Sequence, residues 1–122
     1  MEVVLFNGAF TSYNPQTVDP SLIDYSSVGE KIGDALICTG RVLLSRKVSK
    51  LIAEDHSFAA FIDQSLIRHL RGDWGDIDLQ DKLSNDEAVH NRSRLISSYT
   101  GTSTIWIITS WDRSQTVIML PV

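Results

Sequence analysis

Four aspartates stand within nine residues of the stretch "RGDWGDIDLQD" (71–81): Asp73, Asp76, Asp78 and Asp81. Carboxylates at this density suit a hard cation, which takes oxygen ligands, or an acid–base pair. A calcium loop of the EF-hand kind needs oxygens at alternate positions, a glycine in mid-loop and a glutamate twelfth. Counting from Asp73, the alternate positions hold Gly75, Ile77 and Leu79, and the twelfth is Ser84. The spacing therefore speaks for a turn. Gly72 ends one helix, Gly75 serves the turn and Trp74 drops into the core. Asp76 or Asp78 then caps the next helix and complements its dipole. On this reading Gly72, Asp73, Trp74 and Gly75 are a structural motif, and no metal is expected there.

A second group lies near the C-terminus. "SWDRSQT" brings Asp112, Arg113, Ser114 and Thr116 to the turn between the last two predicted strands. Arg94, Ser97 and Tyr99 stand on the preceding strand and are read, at period two, as one face. Such a row beside an Asp-Arg turn would bind a phosphate or an acidic partner. Equally, Asp112 and Arg113 form a hairpin turn and the outer face is solvated. Both readings stay open at this point, and the candidate binding set is Arg94, Ser97, Tyr99, Asp112, Arg113 and Thr116.

No catalytic set assembles from the sequence, because a base, an acid and an oxyanion donor cannot be brought to one point. His56, His69 and His90 have no histidine partner four residues away and no neighbouring cysteine, so zinc spacing is absent. Each is expected at the surface or at a helix cap. The single cysteine, Cys38, rules out an internal disulfide. Its apolar neighbours in "ALICTGRVLL" predict a buried, inert thiol. No cofactor is expected.

These residues need elements to position them, and 122 residues can build one core. "EVVLF" followed by Asn7–Gly8 reads as a strand entering a tight turn. A long connection follows over 11–34, with a helical turn after Asp19-Pro20. Residues 35–44 read as a buried strand, with Gly40 a bulge or a point of close approach. Three helices are predicted at about 46–53, 57–71 and 79–91. Ser45 caps the first and Asp55 or Ser57 the second. The second carries the strongest apolar stripe, and Leu79, Leu83 and Val89 give the third a thinner one. "RLISSY" (94–99), "TIWIIT" (104–109) and "QTVIML" (115–120) form a three-stranded antiparallel meander, the middle strand buried on both faces.

The expected fold is a single α+β domain over 1–122, with helices on one face of an antiparallel sheet that includes this meander. Its core is expected to hold Leu44, Phe58, Phe61, Ile62, Leu66, Leu70, Trp74, Leu83, Ile105, Ile107, Val117 and Ile118. A net charge of −4 and a pI near 5.2 do not suit a passive nucleic-acid coat. Arg92 and Arg94 are the candidates for a local basic patch. No stretch approaches the length of a membrane span, and the first ten residues lack the pattern of a signal peptide. A cytoplasmic location is the expectation.

The stretch "RGDWGDIDLQDKLSNDEAV…RLISSYTGTSTIWIITSWDRSQTVIMLP" resembles a family of small proteins carried by plasmids, phages and integrative elements. Its members share a GDWG step, a following Asn, an R-L-x-S-x-Y strand and a closing W-I-I-T-x-x-D-R-S-x-T…L-P run. The likeness covers roughly residues 66–122. Such proteins often carry the label of a type I restriction endonuclease subunit M. This chain has no methyl-donor-binding glycine loop and no Asn-Pro-Pro-aromatic motif. The resemblance implies a mobile-element setting and an accessory protein that acts by contact with another protein, against or alongside a host defence nuclease. A fainter likeness is to the barnase-type ribonucleases, which place helices before an antiparallel sheet. It implies phosphate ligands near Arg94 and Arg113, yet no histidine or glutamate stands on the meander to act as acid or base.

Overall fold

The computed structural model describes residues 36–121. The expected N-terminal strand, its Asn7–Gly8 turn and the long connection lie outside them. Strand β1 (Arg41–Leu44) leads into helix α1 (Arg46–Glu54), α2 (His56–Leu70) and α3 (Leu79–Asn91). Strands β2 (Leu95–Thr100), β3 (Thr104–Thr109) and β4 (Gln115–Met119) follow. The class is α+β, with helices packed on the sheet, as the sequence predicts.

β2, β3 and β4 are antiparallel neighbours in chain order, while β1 joins the far side of β4 and runs parallel to it, giving the order β1-β4-β3-β2. The sheet is therefore mixed and not wholly antiparallel. Three helices separate β1 from the meander, and a connection of that length can return the chain in either direction.

Capping fixes where the helices begin. The Ser45 hydroxyl accepts from the Val48 N–H at 3.3 Å, and its own backbone N–H reaches the Ile118 carbonyl at 3.0 Å. Strand and helix thus meet at one residue. Asp55 is shared in the same way: its N–H closes α1 on Leu51 O at 2.9 Å, and its carboxylate opens α2 by accepting from Ser57 N–H at 2.9 Å. α2 ends where Gly72 N–H bonds His69 O and Asp73 N–H bonds Arg68 O, the paired bonds of a glycine-terminated helix.

Val48, Ile52, Phe58, Ile62, Leu66 and Leu70 from α1 and α2 meet Val42, Leu44, Leu95, Tyr99, Ile105, Ile107 and Ile118 from the sheet. The sheet residues alternate along each strand, so the helices cover one face. On the other face Leu43, Ile108, Val117 and Met119 are also buried. The middle strand is buried on both sides, as its run of apolar residues predicts. Phe61 is half-buried, tilted against Phe58. Leu83 is a correction: it is 48% exposed, because α3 turns Asn85 and Ala88 inward instead. Cys38 is another. It lies before the strand, where Ile37 and Thr39 turn inward, and it is exposed.

Among the described residues β2 is an edge strand, and an open edge offers its backbone to other chains. Here it is closed by two devices. The Asn85 side chain donates to Ile96 O at 2.7 Å and accepts from Ile96 N–H at 3.3 Å, standing in for a strand residue. Two residues on, Ser98 N–H donates to Trp74 O at 3.3 Å and Ser98 O accepts from Asp76 N–H at 2.7 Å. Asn85→Ala is expected to leave both Ile96 groups without partners and to cost about 1–3 kcal/mol. Urea unfolding measures this, and an unchanged midpoint would refute the role.

Candidate functional site

The aspartate-rich turn is built around that edge. Gly75 forms a parallel bridge with Ser98, and a Cβ on it would come within 2.0 Å of the Ser98 carbonyl oxygen. Only glycine admits such an approach. Trp74 is 3% exposed and its indole Nε1–H donates to Asp86 at 2.9 Å. The Asp73 carboxylate takes two bonds from the Arg68 guanidinium, at 2.7 and 3.1 Å, and a third from Gly75 N–H at 3.3 Å. The hydrogen bond from Arg68 comes first among the causes that hold the Asp73 carboxyl below the ordinary range. Arg68 also lies over the Tyr99 ring, 4.8 Å from its centroid, and the Tyr99 hydroxyl donates to Asp73 O at 2.7 Å.

Asp78 caps α3 by accepting from Asp81 N–H at 2.9 Å, Asp81 sits in the first turn, and Asp76 contributes its backbone N–H to the edge. The carboxylates do not converge. No group of three or more potential metal ligands occurs among the described residues. The turn reading describes this stretch.

The C-terminal candidate set separates into three places. Ser97, Tyr99 and Thr116 are buried on the helix-covered face of the sheet. Arg94 precedes β2 and is exposed. The expectation of one face shared by Arg94, Ser97 and Tyr99 is therefore corrected. Residues 94 and 97 differ by an odd number, and period two sends them to opposite sides. Asp112 is exposed and shapes its own turn, accepting from the hydroxyls of Ser110 and Ser114, each at 2.7 Å, and from Ser114 N–H at 3.0 Å. The Ser114 and Ser110 hydroxyls are the leading causes that hold its carboxyl low.

Arg113 has a left-handed backbone, φ 59°, and its guanidinium is spread over main-chain carbonyls. Nη1 donates to Ser93 O at 2.7 Å and Ser110 O at 2.9 Å, while Nη2 donates to Ala88 O at 2.7 Å. It thus ties the end of α3 and the α3–β2 link to the last turn. Burial lowers its pKa, with Arg92 nearby adding to the effect. Gly40 completes this corner: a Cβ there would meet the Ser114 carbonyl carbon at 2.2 Å, so β1 can start directly against the turn.

The residue that the sequence reading misplaced most is His69. It is fully buried, not at the surface or a cap, and it joins a chain of polar side chains through the core. Nδ1 lies 2.6 Å from the Ser97 hydroxyl and Nε2 lies 2.9 Å from the Thr109 hydroxyl. Thr109 is 2.8 Å from the Thr116 hydroxyl, which donates to Thr39 O at 2.8 Å. That terminal carbonyl fixes the protons as far as His69 Nε2. Thr116 spends its hydrogen on Thr39 O, so it accepts from Thr109, and Thr109 accepts from His69 Nε2–H. In the neutral ring that burial favours, Nδ1 is bare and accepts from Ser97. The ring is neutral in one tautomer. Burial pushes its pKa down to about 3, with Arg113 contributing the same way.

With both nitrogens engaged and no exposed surface, the ring ties α2 to β2 and β3. A signal for it did exist in the sequence. His69 follows Ile62 by seven residues and Leu66 by three, which places it on the apolar stripe of α2.

No family model matches the chain, and the searches of curated proteins and of solved structures return no match.

Proposed function

We propose that this protein acts by non-catalytic contact with another protein, as an accessory of a mobile genetic element that modulates a host defence nuclease of the restriction or CRISPR type. The mobile-element setting rests on the resemblance carried by the GDWG step and the closing W-I-I-T-x-x-D-R-S run. The observation that carries the contact reading is the placement of Arg113. The ribonuclease reading needs that guanidinium turned toward a phosphate, and it is instead hydrogen-bonded to the carbonyls of Ala88, Ser93 and Ser110. Ser97, Tyr99 and Thr116, the hydroxyl groups of the same candidate set, are buried.

Affinity capture from the source cells, run beside an RNA-degradation assay on the purified protein, tests the reading. A specific protein partner with no cleavage supports it. RNA cleavage with no partner ends it. Arg113→Glu separates the two sharply, because a carboxylate would face carbonyl oxygens left without donors. The expected loss is about 2–4 kcal/mol of stability, summed over several lost hydrogen bonds. Arg113→Glu that kept its unfolding midpoint and abolished cleavage would transfer the assignment to the ribonuclease.

A further inference from the structure

Resting on that contact reading, we infer that the outer face of α3, centred on Leu79 and Leu83, is the docking surface, and that its occupant is a basic amphipathic helix of the partner protein. Leu79 is 71% exposed and Leu83 48% exposed, in a helix whose inward side is Asn85 and Ala88. At 3.6 residues per turn, positions four apart lie about 40° from each other around the axis, so the two leucines form one apolar ridge. Asp86 and Glu87 come on either side of it one turn later. Two large aliphatic side chains held in water on one ridge of a regular helix mark an anchor for a partner.

The surrounding charge selects the occupant. Residues 76–87 hold Asp76, Asp78, Asp81, Asp86 and Glu87 against Lys82 alone. Around the helix axis Asp86 and Glu87 flank the ridge, Asp76 and Asp78 stand at its N-terminal end, Lys82 lies beside Leu79, and Asp81 is on the opposite side. All five carboxylate residues are exposed. A ridge flanked by Asp86 and Glu87, with Asp76 and Asp78 at its end, repels nucleic acid and anionic lipid. It also repels its own copy, since a two-fold dimer would set the same carboxylates against each other. A helix with leucine-like anchors on one side and lysine or arginine beside them satisfies both the ridge and its rim.

The probe is a synthetic fifteen-residue Leu/Lys helix with leucines at i, i+3, i+4 and i+7, compared with the same peptide carrying Glu in place of Lys. Titration by fluorescence anisotropy should give saturable micromolar binding of the basic peptide and none of the acidic one. Binding should weaken at least tenfold in the double variant Leu79→Ser, Leu83→Ser and also at high salt. Asp63→Asn, an exposed site on α2, serves as a charge control and should leave it unchanged. Both leucines being exposed, the double variant should keep the wild-type unfolding midpoint. Equal binding by wild type and the double variant, or none up to millimolar peptide, overturns the assignment. Self-association that depends on Leu79 and Leu83 overturns it in favour of a second copy. Capture of the same cellular partner by wild type and the double variant would sink this surface while leaving the contact reading intact.

Discussion

Lowering the pH from 7 toward 4.5 should destabilise the protein by on the order of 2–3 kcal/mol, through His69. The sign follows from where its proton is bound. In the unfolded chain the imidazole titrates near its ordinary value of 6.5, whereas in the fold burial holds it down to about 3. Between those values the unfolded state binds more protons, so stability falls as pH falls, by up to about 1.4 kcal/mol per unit. Asp73 and Asp112 are held below their ordinary 3.8, so the stability they supply is lost only at lower pH still. The window from 6.5 to 4.5 therefore separates the histidine from these two carboxylates.

Urea midpoints measured across that window should slope steeply in wild type and flatten in His69→Gln, whatever the variant's absolute stability. A flat wild-type profile, or a variant that keeps the slope, would refute it. The nitrogen chemical shifts of the ring give an independent reading. They should report Nε2 protonated and Nδ1 bare throughout, since Thr39 O sets the direction from Thr116 back to Nε2 and burial keeps the ring neutral, leaving Nδ1 to accept from Ser97.

That polar chain also marks the limit of what the sequence discloses. The helices are legible because their apolar residues recur at helical spacing and their caps are local: Ser45, Asp55 and Asp78 each lie at the start of what they cap. The meander is legible for the same reason, each strand being bounded by its own turn. His69 is not legible in this way, because its partners stand 28 and 40 residues away and look like ordinary hydroxyls on a strand. Its place on the stripe of α2 is visible in the sequence, but its polar type points outward. Leu83 failed in the opposite direction. Its apolar type points inward, while α3 docks by Asn85, whose amide substitutes for a strand neighbour at Ile96. The parallel pairing of β1 with β4 is a long-range fact that no local pattern carries.

Trp74→Ala should produce the largest loss of any single substitution in the GDWG turn, about 3–5 kcal/mol, the range for emptying a buried aromatic site. The indole is 3% exposed, stands edge-on to the His69 ring with centroids 5.6 Å apart, and holds Asp86 of α3 through Nε1–H. Its backbone carbonyl meanwhile receives Ser98 N–H at the sheet edge. Removing the ring therefore opens a cavity beside a buried histidine and loosens α3 from the turn. Trp74→Phe separates the two effects, because it retains most of the apolar volume and loses the bond to Asp86. Asp86 is exposed and can be hydrated, so that variant should cost only about 1 kcal/mol. Thermal unfolding of both variants, with and without calcium and with chelator, decides between the two readings of the aspartates. If the turn is structural, the midpoints track the side chain at position 74 and ignore the ion. A wild-type midpoint raised by calcium and lowered by chelator would instead make Asp73, Asp76 and Asp78 ligands. The geometry opposes that outcome, because Asp73 is committed to Arg68 and Gly75 N–H while Asp78 is committed to the first turn of α3.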